Sequence, residues 1–135
     1  MERGEVDGPS VGERLLRTYV DGWKEHDPAK ILGTLDPDCV VVESRGAVYR
    51  GSARVGEWFD AWFGEGNTIE AWDITALLVT ADTAAMEWRF TCTWHGRPAS
   101  FEGASVARFS NAGIAYLREY QTVAELYDWK GTWRD

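Results

Sequence analysis

The sequence contains few cysteines and histidines and lacks the motifs that mark common cofactor and metal sites. Only two of its 135 residues are cysteine and two are histidine. Cys39 and Cys92 match no metal-ligand spacing, and two histidines cannot by themselves build a three-ligand metal site. No phosphate-binding glycine loop, dinucleotide fingerprint or nucleophile elbow occurs. We therefore expect neither a metal nor a cofactor.

Long apolar runs and clusters of basic residues are also missing. No apolar run approaches the roughly 18 residues that a membrane span needs, and residues 1–8 contain no apolar stretch typical of a signal peptide. The formal net charge is −8, with 22 acidic and 14 basic residues, whereas a nucleic-acid surface needs clustered Lys and Arg. We expect a cytoplasmic protein with reduced cysteines that binds neither nucleic acid nor a membrane.

The order of apolar and turn residues predicts an α+β domain. We predict a disordered tail over residues 1–9 and one domain over residues 10–135. Three helices are predicted: one opened by the cap Ser10, one over 28–35, and one capped by Ser52. The predicted strands are 39–43, 47–50, 68–79, 84–94, 100–110 and 114–123. This order favours a cone-shaped, curved antiparallel sheet wrapped around two to three N-terminal helices.

Tryptophan is abundant, with eight in the chain. Because side chains alternate along a strand, one face of the strand over residues 86–94 carries Met86, Trp88, Phe90, Cys92 and Trp94. The other face carries Glu87, Arg89, Thr91 and Thr93. The aromatic face is either an oversized core or the wall of a ligand cavity.

Five segments carry a resemblance to a known family. They are Tyr19–Asp27, Leu35–Glu43, Tyr49–Gly51, Phe101–Phe109 and Gly113–Tyr120. In this order they resemble the nuclear-transport-factor-2-like superfamily, in particular its SnoaL-like branch, over residues 11–125. The resemblance implies the conical α+β fold, which is a cystatin-like roll. It does not fix one function, because the superfamily includes isomerases, cyclases, epoxide hydrolases, dehydratases and pure binding modules.

Ketosteroid isomerase is the first enzyme of this superfamily that the chain resembles in layout. That resemblance places the oxyanion-hole tyrosine at Tyr19, the carboxylate base at Glu43 and the second oxyanion donor at Ser105. Ser105 replaces a protonated acid, and Phe59 replaces a supporting tyrosine, so we do not expect steroid isomerisation.

Limonene epoxide hydrolase is the second such enzyme. The resemblance places one of its acids at Glu119, and alternation along the last strand points Leu117, Glu119 and Gln121 into the hollow. Its arginine and second acid fall near Met86 and Trp88, so the acid–arginine–acid triad is not reproduced.

Two carboxylates are the strongest candidates for chemistry. A carboxylate among aromatic side chains is desolvated, which makes Glu43 a stronger base. If Glu119 shares the hollow, repulsion keeps one of the two protonated and able to act as an acid. The alternatives are a solvated Glu43 at a strand end and a salt bridge from Glu119 to Arg89 or Arg118.

We expect the hollow to bind a small hydrophobic molecule. The candidate ligand-binding residues are Trp23, Trp58, Trp62, Trp88, Phe90, Trp94 and Gln121. The expected chemistry, of the isomerase, cyclase or hydrolase type, uses Glu43 as base and Tyr19 or Ser105 as donor. The alternatives are a binding or carrier module without chemistry and a domain with a filled core whose main role is dimerisation. The superfamily resemblance implies a homodimer through the outer sheet face, which includes Glu102, Val106 and Arg108.

Overall fold

The computed structural model describes residues 10–134 of the chain. The tail predicted over residues 1–9 lies outside the described residues. In chain order the elements are α1 (Val11–Lys24), α2 (Pro28–Leu32), β1 (Leu35–Val42), β2 (Val48–Arg50), α3 (Ser52–Gly64), β3 (Thr68–Val79), β4 (Thr83–Trp94), β5 (Arg97–Ser110) and β6 (Gly113–Gln121). The α+β prediction is confirmed.

The first two helices begin where the sequence predicts. Ser10 accepts a hydrogen bond from the backbone N–H of Glu13 at 3.1 Å, and Asp27 accepts one from the backbone N–H of Lys30, also at 3.1 Å. These side chains satisfy donors that a helix start leaves free. The inward face of α1 carries the buried side chains Leu16, Tyr19, Val20 and Trp23.

The predicted starts of α3 and β1 were wrong. Ser52 is the first residue of α3 and not its cap, because Gly51 occupies the N-cap position at φ 90° with no side-chain cap. Leu35 does not end the second helix, which stops at Leu32. It is the first residue of β1 and pairs with Ile114 of β6.

The six strands form one sheet in the order β2–β1–β6–β5–β4–β3. Every neighbouring pair is antiparallel except β1 and β6, which run parallel. The sheet is therefore mixed, and the parallel pair is a feature that the predicted antiparallel sheet did not contain. It brings the end of the first strand beside the last strand.

Alternation along β4 holds as predicted, with Met86 and Trp88 buried and Glu87 and Arg89 exposed. The turn after this strand is shorter than the predicted loop over 95–98. Only His95 and Gly96 separate β4 from β5, with φ 51° and 78°. Two positive φ angles in a two-residue hairpin match the twist of antiparallel strands.

The helices pack on one face of the sheet around a single apolar core. The core includes Leu16 and Val20 of α1, Val55 and Phe59 of α3, and Leu117 of β6. Within residues 10–134, no helix combines the length and the hydropathy that crossing a bilayer requires.

Candidate active site

A cavity of about 320 Å³ opens between the helices and the sheet. Nine of its lining residues are aromatic: Trp23, Tyr49, Trp58, Trp62, Trp72, Trp88, Phe90, Trp94 and Phe101. The remainder include Glu43, Arg45, Glu65, Cys92, Glu119 and Gln121. The aromatic face of β4 is therefore a cavity wall, although Trp88 also packs in the core.

The exposure of the lining residues separates a rim from an inner wall. Arg45, Glu65 and Trp94 are exposed and form the rim. Trp23, Trp72 and Trp88 are 4–5 % exposed and form the inner wall. A ligand that entered past the rim would lose most of its contact with water against the inner wall.

Glu43 and Glu119 reach the cavity from the two parallel strands. Val41 pairs with Leu117 and Val42 with Arg118, so the next residues along the two strands are Glu43 and Glu119. Val41 and Leu117 are fully buried. Because side chains alternate along a strand, the side chains two residues further on, those of Glu43 and Glu119, point to the same face. Neighbouring strands lie about 4.8 Å apart, and Glu43 is the residue directly after the last paired residue of β1. The two residues therefore lie close together, and the charge of Glu43 acts on Glu119.

Burial changes the acidity of both carboxylates. It raises the pKa of Glu119 to about 8, with a smaller contribution from the negative charge of Glu43. It also raises the pKa of Glu43, but the charge and the backbone N–H of Arg45 oppose this rise. Glu119 therefore holds its proton at neutral pH, and Glu43 is the more acidic of the two.

Neither alternative for these carboxylates is seen in the structure. Glu43 is half-buried and not a fully solvated strand-end acid. Among residues 10–134 no cation forms an ion pair with Glu119. Arg89 pairs instead with Glu102 at 2.7 Å, and Arg118 lies over the ring of Tyr120.

Sequence reasoning missed Arg45 and Tyr49, which flank Glu43. Arg45 lies in the turn after β1, and its Cζ sits 5.0 Å from the centroid of the Trp94 ring. Tyr49 of β2 stacks on Trp58 with ring centroids 4.2 Å apart and an interplanar angle of 7°. Burial, with the charges of Glu43 and Glu119, raises the pKa of Tyr49 to about 12. A polar turn and a three-residue strand gave no signal for either position.

Trp72 and Phe101 are also lining residues that the sequence did not single out. The pairing of β3 with β4 shifts register between Ile69 and Ala71 and again between Ile74 and Ala76. Each shift changes which residues face inward, so strict alternation along β3 does not identify Trp72. Phe101 lies beside Phe90 on the neighbouring strand. Alternation along the predicted strand over 100–110 puts Phe101 on the same face as Ser105, so the sequence contained a signal for it that was not used.

Two predicted donors, Tyr19 and Ser105, do not line the cavity. Ser105 is 1 % exposed and accepts a hydrogen bond from Nε1 of Trp88 at 2.9 Å. Tyr19 is fully buried between the rings of Trp23 and Trp72. Burial, followed by the charge of Glu119, raises the pKa of Tyr19 well above its usual range. Ser105 pairs with Glu119 across β5 and β6, but neither Ser105 nor Tyr19 is among the residues that line the cavity.

Three buried polar atoms have no hydrogen-bond partner among the described residues: Tyr19 Oη, Trp23 Nε1 and Trp72 Nε1. An unpaired buried donor costs about 1–3 kcal/mol. Tyr19 packs against both Trp23 and Trp72, so this cost falls on the inner wall and the tyrosine next to it.

No group of three or more His, Cys, Asp or Glu side chains within residues 10–134 could hold a metal ion.

Four more of the predicted site residues line the cavity. Trp58 and Trp62 line the cavity from α3, Trp94 from β4, and Gln121 from the end of β6. Gln121 Oε1 accepts a hydrogen bond from Ser44 Oγ at 3.4 Å.

A family model for the SnoaL-like domain matches residues 16–117. The chain belongs to the SnoaL-like family. The match runs from within α1 to Leu117 in β6, so it ends before the lining residues Glu119 and Gln121. A comparison with curated proteins gives no match.

Solved structures similar to this SnoaL-like protein share its fold. A protein of unknown function with a cystatin-like fold from Methylobium petroleophilum is 26% identical, with TM-score 0.68, and the alignment covers 92% of this chain and 82% of that one. An LEH-like epoxide hydrolase from M. tuberculosis is 15% identical, with TM-score 0.74 and 83% of each chain covered. A protein with a ketosteroid isomerase-like fold from Catenulispora acidiphila, in complex with trimethylamine, is 19% identical, with TM-score 0.67 and coverage of 78% and 83%. The last two likenesses show the fold alone.

Proposed function

We propose that this SnoaL-like protein binds a small hydrophobic molecule in its aromatic cavity and transfers protons on it, with Glu43 as the base. The observation that carries this proposal is the pair of adjacent carboxylates, Glu43 and Glu119, inside an aromatic cavity and without an ion pair in the described part of the chain.

The two carboxylates have the properties of a base and an acid. Glu43 gives up its proton more readily because Arg45 stabilises its charge, so its carboxylate can accept a proton from carbon or from water. Glu119 keeps its proton because burial raises its pKa to about 8, so it can donate to an oxygen that gains negative charge. An acid and a base on one wall suit isomerisation, cyclisation or hydrolysis of a small apolar carbonyl or cyclic compound.

The oxyanion donor in this proposal differs from the one that the ketosteroid isomerase resemblance implies. Tyr19 and Ser105 lie outside the cavity lining, and the Ser105 oxygen already accepts the indole N–H of Trp88. The proposal therefore assigns proton donation to Glu119. Ser105 becomes a positioning residue that fixes the orientation of Trp88.

A generic substrate tests the base without knowledge of the natural one. An activated benzisoxazole opens its ring when a base removes its carbon-bound proton. We expect the protein to accelerate this reaction and Glu43→Gln to lower the acceleration by about 10²-fold or more. Glu87→Gln changes an exposed carboxylate on the outer face of β4 and should leave the rate unchanged. A Glu43→Gln variant as fast as the wild type would contradict the assignment.

A binding or carrier module without chemistry is the second candidate. The observation that favours it is the aromatic lining, which contains six of the eight tryptophans of the chain and suits tight binding of an apolar ring. It predicts that apolar ligands quench tryptophan fluorescence while benzisoxazole opens no faster than in buffer.

We also propose a homodimer through the outer face of the sheet. Val106 and Tyr120 are 41% and 48% exposed on this face, beside the Arg89–Glu102 ion pair of 2.7 Å. Light scattering after size-exclusion chromatography should give twice the mass of the chain. Val106→Lys should shift the protein towards the monomer, and an unchanged monomeric mass for the wild type would refute the proposal.

A further inference from the structure

The rings of the cavity wall form a surface that attracts cations. Nine aromatic side chains line it, and the faces of indole, phenol and phenyl rings carry negative electrostatic potential. A cation within about 6 Å of a ring centroid is attracted to it. The rim already shows one such contact, because Arg45 Cζ lies 5.0 Å from the Trp94 ring centroid.

The charged groups of the lining have an excess of negative charge. Two ionised carboxylates, Glu43 and Glu65, face a single cation, Arg45, while burial keeps the third lining carboxyl group, Glu119, protonated at neutral pH. Glu65 lies 3.2 Å from His95 Nε2 and accepts a hydrogen bond from Asn67 at 3.4 Å.

The deeper carboxyl groups have no ion-pair partner. Within residues 10–134, neither Glu43 nor Glu119 forms an ion pair. Glu43 has the backbone N–H and the charge of Arg45 nearby, but the Arg45 guanidinium is directed over Trp94 and is not within ion-pair distance. A partly buried ionised group is stabilised when it is paired, so the Glu43 carboxylate favours a ligand that supplies a positive charge.

We propose that the molecule bound in this cavity is an organic amine cation, enclosed by the aromatic faces and paired with the carboxylate of Glu43. This inference rests on the proposed function, since it names the class of ligand for the same cavity. A neutral ligand would desolvate the Glu43 carboxylate further without pairing it, and an anionic ligand would be repelled by it. The net charge of −8 also attracts cations from solution.

The experiment compares two probes of nearly identical shape that differ in charge. Benzyltrimethylammonium carries a quaternary nitrogen, and neopentylbenzene carries carbon at the same position. Binding to the full chain is measured by quenching of tryptophan fluorescence and by competition between the probes. We expect the ammonium probe to bind about tenfold more tightly than its carbon isostere, as cation–π attraction and charge pairing imply.

Variants identify the side chains that recognise the positive charge of the probe. Glu43→Gln should weaken binding of the ammonium probe several-fold and leave binding of neopentylbenzene unchanged. Glu119→Gln replaces a protonated carboxyl group with a neutral amide and should change the binding of neither probe. Glu87→Gln removes an exposed carboxylate of the outer face and should affect neither probe. Circular dichroism of each variant establishes that the fold is retained.

The outcomes separate this inference from the proposed function. Neopentylbenzene or the anion phenylacetate binding as tightly as benzyltrimethylammonium would overturn the amine assignment and leave an apolar ligand cavity in place. Loss of binding for all three probes would overturn the amine assignment and the ligand-binding function together. Preference for the ammonium probe without benzisoxazole opening would support the amine assignment and favour the carrier over the enzyme.

Discussion

Trp88 and Ser105 are joined across β4 and β5 by a hydrogen bond from the indole N–H to the serine oxygen, with an N···O distance of 2.9 Å. Both residues are almost fully buried, at 4 % and 1 % exposure. The bond fixes the plane of an indole that forms part of the inner cavity wall. A buried indole N–H that loses its acceptor costs more than an exposed hydrogen bond is worth.

Replacing this acceptor should therefore destabilise the protein. We expect Ser105→Ala to lower the free energy of unfolding by about 1–3 kcal/mol, measured by urea denaturation. Ser100→Ala removes an exposed hydroxyl of the same strand, 3.1 Å from Thr91 Oγ1, and should stay within about 0.5 kcal/mol of the wild type. Equal losses of unfolding free energy in the two variants would show that the hydrogen bond to Trp88 contributes no more than an exposed one.

Gly103 is required by the same indole. A Cβ atom at this position would overlap the Trp88 ring and the carbonyl oxygen of Tyr120. We expect Gly103→Ala to cost about 1–3 kcal/mol of stability, as overpacking in a core does. Gly64→Ala is the matched control, because nothing lies within 4 Å of the added atom. Thermal unfolding of the two variants tests this, and a Gly103→Ala protein as stable as Gly64→Ala would contradict it.

Glu119 should make stability depend on pH with a definite sign. Its pKa rises from a usual 4.5 to about 8 in the folded protein. Between these values the unfolded chain loses the proton while the folded chain keeps it, so the free energy of unfolding falls as pH increases. The stability that protonated Glu119 contributes is complete below about pH 4.5 and is lost as the pH rises through about 8.

Glu119→Gln cannot ionise and removes this dependence. We expect its stability relative to the wild type to increase from pH 5 to pH 8.5 in urea denaturation. The Glu87→Gln control should show a constant difference across the same range. If the free energies of unfolding of the wild type and Glu119→Gln changed with pH in parallel, Glu119 would titrate near its usual pKa.

The two cysteines should react slowly and in a fixed order. Burial raises the pKa of both thiols, which lowers the fraction of reactive thiolate. Cys92 lines the cavity, whereas Cys39 is fully buried in the core. Peptide mass spectrometry after iodoacetamide treatment should find Cys92 labelled first and both labelled rapidly in urea. Earlier labelling of Cys39 would show that the cavity does not admit a small polar reagent.

The sequence was sufficient for local features. The caps Ser10 and Asp27, and the alternation of Met86 and Trp88 with Glu87 and Arg89, depend on residues close together in the chain. Their periodicity and hydrogen-bonding groups determine local structure directly. The same reasoning pointed Glu119 and Gln121 inward on the last strand. The reasoning failed at Ser52. Either Gly51 or Ser52 can be the N-cap of α3, and the backbone φ of 90° at Gly51 makes that residue the cap.

Alternation of side chains along a strand could not identify the lining residues where the pairing of two strands is irregular. Trp72 faces the cavity because bulges in β3 change which side chains point inward. Arg45 and Tyr49 reach it because a tight turn folds β2 back onto β1. A bulge or a turn is set by how two strands fit together, which one strand's sequence does not encode.

By itself the sequence determined the helices, the strands, the inward aromatic face and the identity of the two acids. Only the tertiary structure decided that β1 and β6 run parallel, which sets Glu43 beside Glu119 although the two are 76 positions apart in the chain. Local propensity indicates that a strand forms and which way its side chains point. The choice of its neighbour depends on burying the apolar surface of the whole domain at once, and that choice created the pair of carboxylates.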